Sequence, residues 1–368
     1  MKKIITKAMV GALAAGFVGT GSAYGVTCGQ VITGNETLTG NLFCILNDPV
    51  ITIDGGSLDM NGYQIGCLPG QDGVAFINSG GKLRNGSIEG CDRAAVLAGS
   101  GKHTVVNVHA KGGSDTGFYM LGSGNKMIKN VASGFGNYGF RAATALPPLS
   151  DVFIDNVSAN NGDSGFHIDG DKAKMSGNVA VGNGGRGIWI DGEGNKLMRN
   201  IAYDNVQSGV QVEGSANSVQ KNVSVANGTG VVVLSGLTKV KSNVAIASVG
   251  NGYSNLEDGS LFSGNSSILN GTFGFVMLGN NVGVSKSSAI LNGSFGIWMG
   301  MYTGVVAKGN RLFSNGDVGL YSAGNGAEIS GNLGFDNVNA DADDFSATCS
   351  TNIWDGNVFG SAADSCIQ

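Results

Sequence analysis

Three acidic residues, Asp169, Asp191 and Glu213, follow one another at intervals of 22. Two positions before them stand His167, Trp189 and Gln211, and the same series begins upstream with Tyr119 and Arg141. If the backbone returns to the same place at that interval, the carboxylates stack into a ladder. An imidazole, an indole, a guanidinium and a phenol then run beside it.

Such a ladder has three chemical uses. Stacked carboxylates repel, so one keeps its proton to higher pH and can act as a general acid; glycoside hydrolysis uses two carboxyl groups about 5 to 9.5 Å apart. Clustered carboxylates also bind calcium, which could bridge to an acidic sugar and assist β-elimination. Arg141 or His167 would then be the base or charge stabiliser. Aromatic rings such as Tyr119 and Trp189 can also stack on sugar rings with no reaction. The candidate catalytic groups are therefore Asp169, Asp191, His167 and Arg141. Tyr119, Trp189, Gln211 and Glu213 are the candidate substrate contacts, and Asp169, Asp191 and Glu213 the candidate calcium ligands. The plainer reading is a solvated acidic face, with His167 a structural histidine.

The elements that would position these groups come from internal repetition. Glycines at 117, 139, 165, 187, 209, 230, 252, 274, 296 and 319 are spaced by 22, 26, 22, 22, 21, 22, 22, 22 and 23. Asn130, Asn156, Asn178, Asn200, Asn222, Asn243, Asn265, Asn310 and Asn332 recur in phase, with Ser287 in the gap. A third column carries Asn183, Asn205, Asn227, Asn270, Asn292, Asn315 and Asn337. Apolar runs of four or five residues rich in Val and Ile make each unit a set of short strands. No LxxLxL signature marks a leucine-rich repeat. Equal units stack strand on strand at about 4.8 Å per coil. The expected fold is all-β: a right-handed parallel β-helix, a single-stranded solenoid of 13 to 14 coils of about 22 residues. Gly and Asn are expected at left-handed turns, and buried Asn amides should form ladders between coils. The N-x-S/T triplets, such as Asn222-Val-Ser224, are by-products of that pattern.

Strand alternation sets the faces. Phe118, Phe140, Phe166, Ile188, Val210 and Val231, each after an opening Gly, point inward. The outward column then reads Tyr119, Arg141, His167, Trp189, Gln211, Val232, Ser254, Val276, Trp298 and Tyr321. Its later part, with Leu234, Leu256 and Leu278, is an apolar strip. Val232, Leu234, Val276, Leu278 and Trp298 are a candidate protein-partner surface unless the C-terminal segment covers them. Lys126, Lys129, Lys174, Lys196, Arg199, Lys221, Lys239 and Lys241 gather near the second strand, able to steer an anionic glycan or simply to solubilise the chain. The insertion Ala142–Asp151, with Pro147-Pro148, should loop out beside the candidate site.

Residues 1–25 read as a signal peptide: Lys2, Lys3 and Lys7, an apolar run Ala8 to Gly19 too short to span a bilayer, then Ala23-Tyr24-Gly25. No later stretch is long and apolar enough for a membrane span. Loss of three lysines takes the formal charge from −5 to −8, which argues against nucleic acid. Six cysteines in an exported chain imply disulfides. Cys349–Cys366 stand alone at the C-terminus; Cys28–Cys44 and Cys67–Cys91 are expected, though Cys44–Cys67 is also within reach. No CxxC supports zinc. Residues 26–73 form N-terminal capping coils, 74–340 the repeats, and 341–368 a disulfide-pinned cap.

The start, CGQVITGNETLTGNLFC then ITIDGGSLDMNGYQIGC, and the ending CSTNIWDGNVFGSAADSCI resemble bacterial secreted right-handed β-helix repeat proteins. These belong to the pectate-lyase-like superfamily of carbohydrate-binding proteins and sugar hydrolases. The resemblance implies a polysaccharide partner and an extracellular or periplasmic location. It also departs from the alginate epimerases, since Arg141-Ala142-Ala143 stands where that group carries Asp-Pro-His. Two readings follow: a secreted polysaccharide lyase or glycoside hydrolase, or a non-catalytic surface, matrix or adhesion protein that binds a glycan or a protein. A family's fold does not choose between them.

Overall fold

The computed structural model describes residues 25–143, 150–345, 349 and 351–367. Each coil contributes one strand to a 15-stranded parallel sheet, the first wall, and two short strands to a second, folded wall. The first wall runs from Val31–Ile32 through Phe118–Met120, Phe166–Asp169 and Ile188–Asp191 to Ala340–Asp344. Fifteen strands make a rod of about 67 Å at the usual strand spacing. This is the parallel β-helix that the repeat implies. The strands at both ends are also in register, Val31 with Thr52 and Tyr321 with Asp343, so the terminal segments are more regular than their sequences suggest.

Inside, like residues stack on like. Phe118, Phe140 and Phe166 form one row, centroids 4.9 and 4.8 Å apart, and Tyr253 lies on Phe275 at 4.7 Å. At the corners the Asn columns form the expected ladders. Asn178 Nδ2 donates to Asn200 Oδ1, and Asn200 Nδ2 to Asn222 Oδ1, both at 2.9 Å. A second ladder runs Asn183, Asn205, Asn227 at 2.8 and 2.9 Å. These amides are 0–2% exposed, so each must be paired to avoid a desolvation cost of about 1–3 kcal/mol.

Gly and Asn do stand at left-handed turns, Gly177 and Asn160 among them, but the ladder asparagines do not. The residue before each one does. Lys129, Asp155, Arg199, Lys221 and Ser242 have φ of 54–58° there, and Gly177, Gly264 and Gly309 fill the same corner in other coils. The Asn that follows pins the corner through its side chain, which offsets the cost of a Cβ in that region, about 1–2 kcal/mol. The opening glycines are not left-handed either. A Cβ on Gly165 would lie 2.7 Å from the Gly187 carbonyl oxygen and 2.8 Å from Asn183 Nδ2. These glycines exist so that one coil can sit against the next.

Cys28–Cys44, Cys67–Cys91 and Cys349–Cys366 are bonded, two bridges on the first coils and one at the C-terminus. No helix among the described residues is long and apolar enough to cross a membrane. Residues 1–24 and 144–149 lie outside the described part, and with them nearly all of the expected signal peptide and the centre of the insertion.

Candidate functional site

The first wall brings the sequence candidates into two adjacent columns. Tyr119 pairs with Arg141, Arg141 with His167, His167 with Trp189, and Trp189 with Gln211. Two residues along each strand, Ala143, Asp169, Asp191 and Glu213 align in the same order. The carboxylates are therefore one coil step apart, about 4.8 Å at the backbone.

The aromatic column is a stack. The His167 ring lies on the Trp189 indole, centroids 3.9 Å apart and planes within 3°, and Tyr138 tilts over its other side at 5.2 Å. Arg141 lies between the rings of Tyr138 and Tyr119, at 5.1 and 5.7 Å. Arg186 covers Trp189 at 4.2 Å and donates from Nε to Gln211 Oε1 at 2.8 Å. Trp189 Nε1 and Gln211 Nε2 both donate to Glu213 Oε1, at 3.0 and 2.6 Å. One continuous arrangement thus joins the aromatic column to the carboxylate column. Tyr138 and Arg186 were missed in the sequence. They occupy the position before the opening Gly, a repeat column whose side chains fold back over the outward face.

That fold-back changes what the outward column can do. His167 is 6% and Gln211 8% exposed. Both His167 ring nitrogens, and Arg141 Nε, are buried without a hydrogen-bond partner. Burial, followed by the Arg141 charge, lowers the His167 pKa to about 4, so the ring is neutral at pH 7. A neutral imidazole with both nitrogens sealed does not reach a substrate from this position. The lower carboxylates differ: Asp169 and Asp191 are exposed and Glu213 half-buried. Partial removal from water, then the charges of Glu213 and Asp169, raise the Asp191 pKa above its ordinary value. No set of three or more acidic, imidazole or thiol groups among the described residues is placed to hold a metal ion. Within the ladder of Asp169, Asp191 and Glu213, Glu213 turns toward Trp189 and Gln211, from which its Oε1 accepts.

The apolar strip is less open than expected. Val276 is 4% exposed, and Val232, Leu234, Leu278 and Trp298 are half-buried. Phe273 and Phe295, again from the column before the opening Gly, lie against its later part: they stack on each other at 5.4 Å, and Phe273 stacks on Trp298 at 5.5 Å. With Trp298, Tyr321, Met301 and Phe345 they line a groove of about 630 Å³.

A family model described as right handed beta helix region matches residues 30–197 and 146–268. The chain belongs to the right-handed beta helix family. Among solved structures, this β-helix chain is similar to the A-module of the Azotobacter vinelandii mannuronan C-5 epimerase AlgE6. The identity is 15%, the TM-score 0.51, and the match covers 91% of this chain and 90% of that one. The periplasmic alginate epimerase AlgG matches at 14% identity and TM-score 0.38, over 77% and 74%. A catalytic domain of a GH87 alpha-1,3-glucanase matches at 14% and 0.47, over 82% and 63%. No curated protein matches in sequence. At these identities the likeness shows the β-helix fold and no more.

Proposed function

We propose that this β-helix protein is an exported polysaccharide-acting enzyme, a glycoside hydrolase that binds a glycan chain along the first wall. The observation that carries this reading is the position of Asp191. It is exposed, stacked between Asp169 and Glu213, and holds its proton to raised pH. In this reading Asp191 protonates the glycosidic oxygen as the bond to the leaving sugar breaks. Asp169, one coil step away, attacks the anomeric carbon; the backbone step of about 4.8 Å matches the close carboxyl spacing of retaining enzymes. Water then releases the sugar while Asp191, now a carboxylate, takes its proton. Burial, and after it the charge of Glu213, which is held by Trp189 and Gln211, raise the pKa of Asp191. Arg186 and the Trp189 edge would contact the sugar.

Hydrolysis is favoured over β-elimination because the exposed Asp169 and Asp191 carboxylates can supply a nucleophile and an acid, whereas the His167 nitrogens and Arg141 Nε are buried. The reading routes no step through calcium. Three disulfides support an oxidising compartment, outside the cytoplasm. The mannuronan named for the AlgE6 module agrees in class, a polysaccharide, by analogy of fold. The test is release of reducing ends from a polysaccharide panel. Release by the wild type and none by an Asp169→Ala, Asp191→Ala double variant supports the site; equal release by both removes it.

A second reading, a non-catalytic protein that grips a partner, is favoured by the aromatic groove at Phe273, Phe295, Trp298 and Tyr321. It expects saturable binding to a glycan or protein without turnover, lost in Trp298→Ala.

A further inference from the structure

The second wall carries a stripe of one charge. Lys126, Lys174, Lys196 and Lys239 share a single outward column, with Val152 and Ser218 between them. Beside this column, Arg199 and Lys221 occupy the corner positions. All six are exposed, and Lys129 and Lys241 extend the same surface. Across these six coils the column and its adjoining corner hold Asp155 as their one acid. Among the described residues the ion pairs are Arg84–Asp59 and Arg93–Asp72, and none of the six takes part in one. Yet the protein as a whole has more acids than bases, 27 against 22.

Two features run against local preference. Lys174 lies directly beside Lys196 on adjacent strands, where like charges repel. Arg199 and Lys221 stand at the left-handed corner that Lys129, Asp155 and Ser242 also occupy and that Gly177, Gly264 and Gly309 fill in other coils without strain. Downstream the column ends at Lys239, its next members being Leu261, Gly283 and Val306; upstream it passes through Thr104 to Lys82.

We propose that this stripe is a docking track for a linear anionic polysaccharide lying along the rod axis. The geometry selects a linear chain. The stripe is one column and one corner wide, and five coil steps long, about 24 Å. A coil step is close to the length of one sugar ring, so a polymer with one acid group per ring meets a cation at nearly every coil. Cations on adjacent coils, such as Lys174 and Lys196, lie within the screening distance of about 8 Å at physiological salt, so their fields add. The track is on a different wall from the carboxylate ladder and does not rest on the hydrolase reading.

The test is binding of an end-labelled oligogalacturonate to the full chain, followed by fluorescence anisotropy from low to near-physiological salt. Binding should weaken steeply with salt, and Lys174→Gln with Lys196→Gln should weaken it at least about tenfold and flatten the salt dependence. The control pair Lys102→Gln with Lys111→Gln, the same charge change elsewhere, should leave it nearly unchanged. No binding at low salt, or equal weakening by the control pair, overturns the proposal. So does loss in Trp189→Ala with none in the lysine pair, which would move the polymer to the first wall. Tighter binding to single-stranded DNA or to phosphatidylserine vesicles would overturn the assignment to polysaccharide.

Discussion

The His167 imidazole lies flat on the Trp189 indole, 3.9 Å between centroids and 3° between planes. The contact seals the imidazole, leaves both its nitrogens unpartnered, and helps hold its pKa near 4. Opening the stack should readmit water. In Trp189→Ala the His167 pKa should climb from about 4 toward its ordinary 6.5. An NMR titration of the ring protons reads this directly; a value still near 4 would show that Trp189 does not seal the ring.

The pH dependence of turnover should follow Asp191. A general acid works only while protonated, so activity should fall as pH rises through the raised Asp191 pKa. Glu213→Gln removes one of the charges that raise it. The alkaline limb should then move to lower pH, while the amide oxygen of the new side chain still accepts from Trp189. A limb that stays in place would separate Glu213 from Asp191.

Much of this was legible in the sequence, because the repeat is a register and a register fixes neighbours. The Gly and Asn columns place Asp169, Asp191 and Glu213 side by side before any coordinate is known. What they do not give is cover. Tyr138, Arg186, Phe273 and Phe295 precede the opening Gly and fold over the outward face, so His167 and Val276 are buried although strand alternation turns them outward. The same column, read one position earlier, carries that signal. The cause of the glycines was also hidden, since close approach of the Gly187 carbonyl to Gly165 is a property of stacking between coils.

A fourth ladder was missed for a related reason: its members differ. Asn125 N donates to Asp151 Oδ1 at 2.7 Å, and Ala173 N donates to Asn195 Oδ1 at the same distance. Asp151 is 4% exposed, and burial raises its pKa to about 6. The folded state therefore binds this proton more tightly than the unfolded chain. Its contribution is present below the unfolded value, near 4, and is lost as pH rises through about 6. Two pKa units correspond to about 3 kcal/mol. Asp151→Asn should abolish that loss and raise stability at pH 7 by about 1–3 kcal/mol. Urea midpoints of both proteins at pH 4 and 7 test it; an equal difference at the two pH values would contradict it.

Ladder asparagines should be costly to remove. Asn200 Nδ2 donates to Met175 O and Asn222 Oδ1, and Asn200 Oδ1 accepts from Asn178. Asn200→Ala leaves those buried partners unmet, so it should cost about 2–4 kcal/mol. The exposed neighbour change Arg199→Gly should be neutral or stabilising, since it relieves a left-handed corner. Thermal unfolding should show a clear loss for Asn200→Ala and no loss for Arg199→Gly if the corner is built as described.

On the proposed mechanism, Asp191 gives a proton to a glycosidic bond. Proton NMR of a polysaccharide digest tests it most directly, because hydrolysis, elimination and no reaction give different spectra. The expected result is new reducing-end anomeric signals with retained configuration, no vinyl signal, and none of these products with Asp191→Asn. Vinyl protons in the wild-type digest, or undiminished turnover by Asp191→Asn, would contradict it.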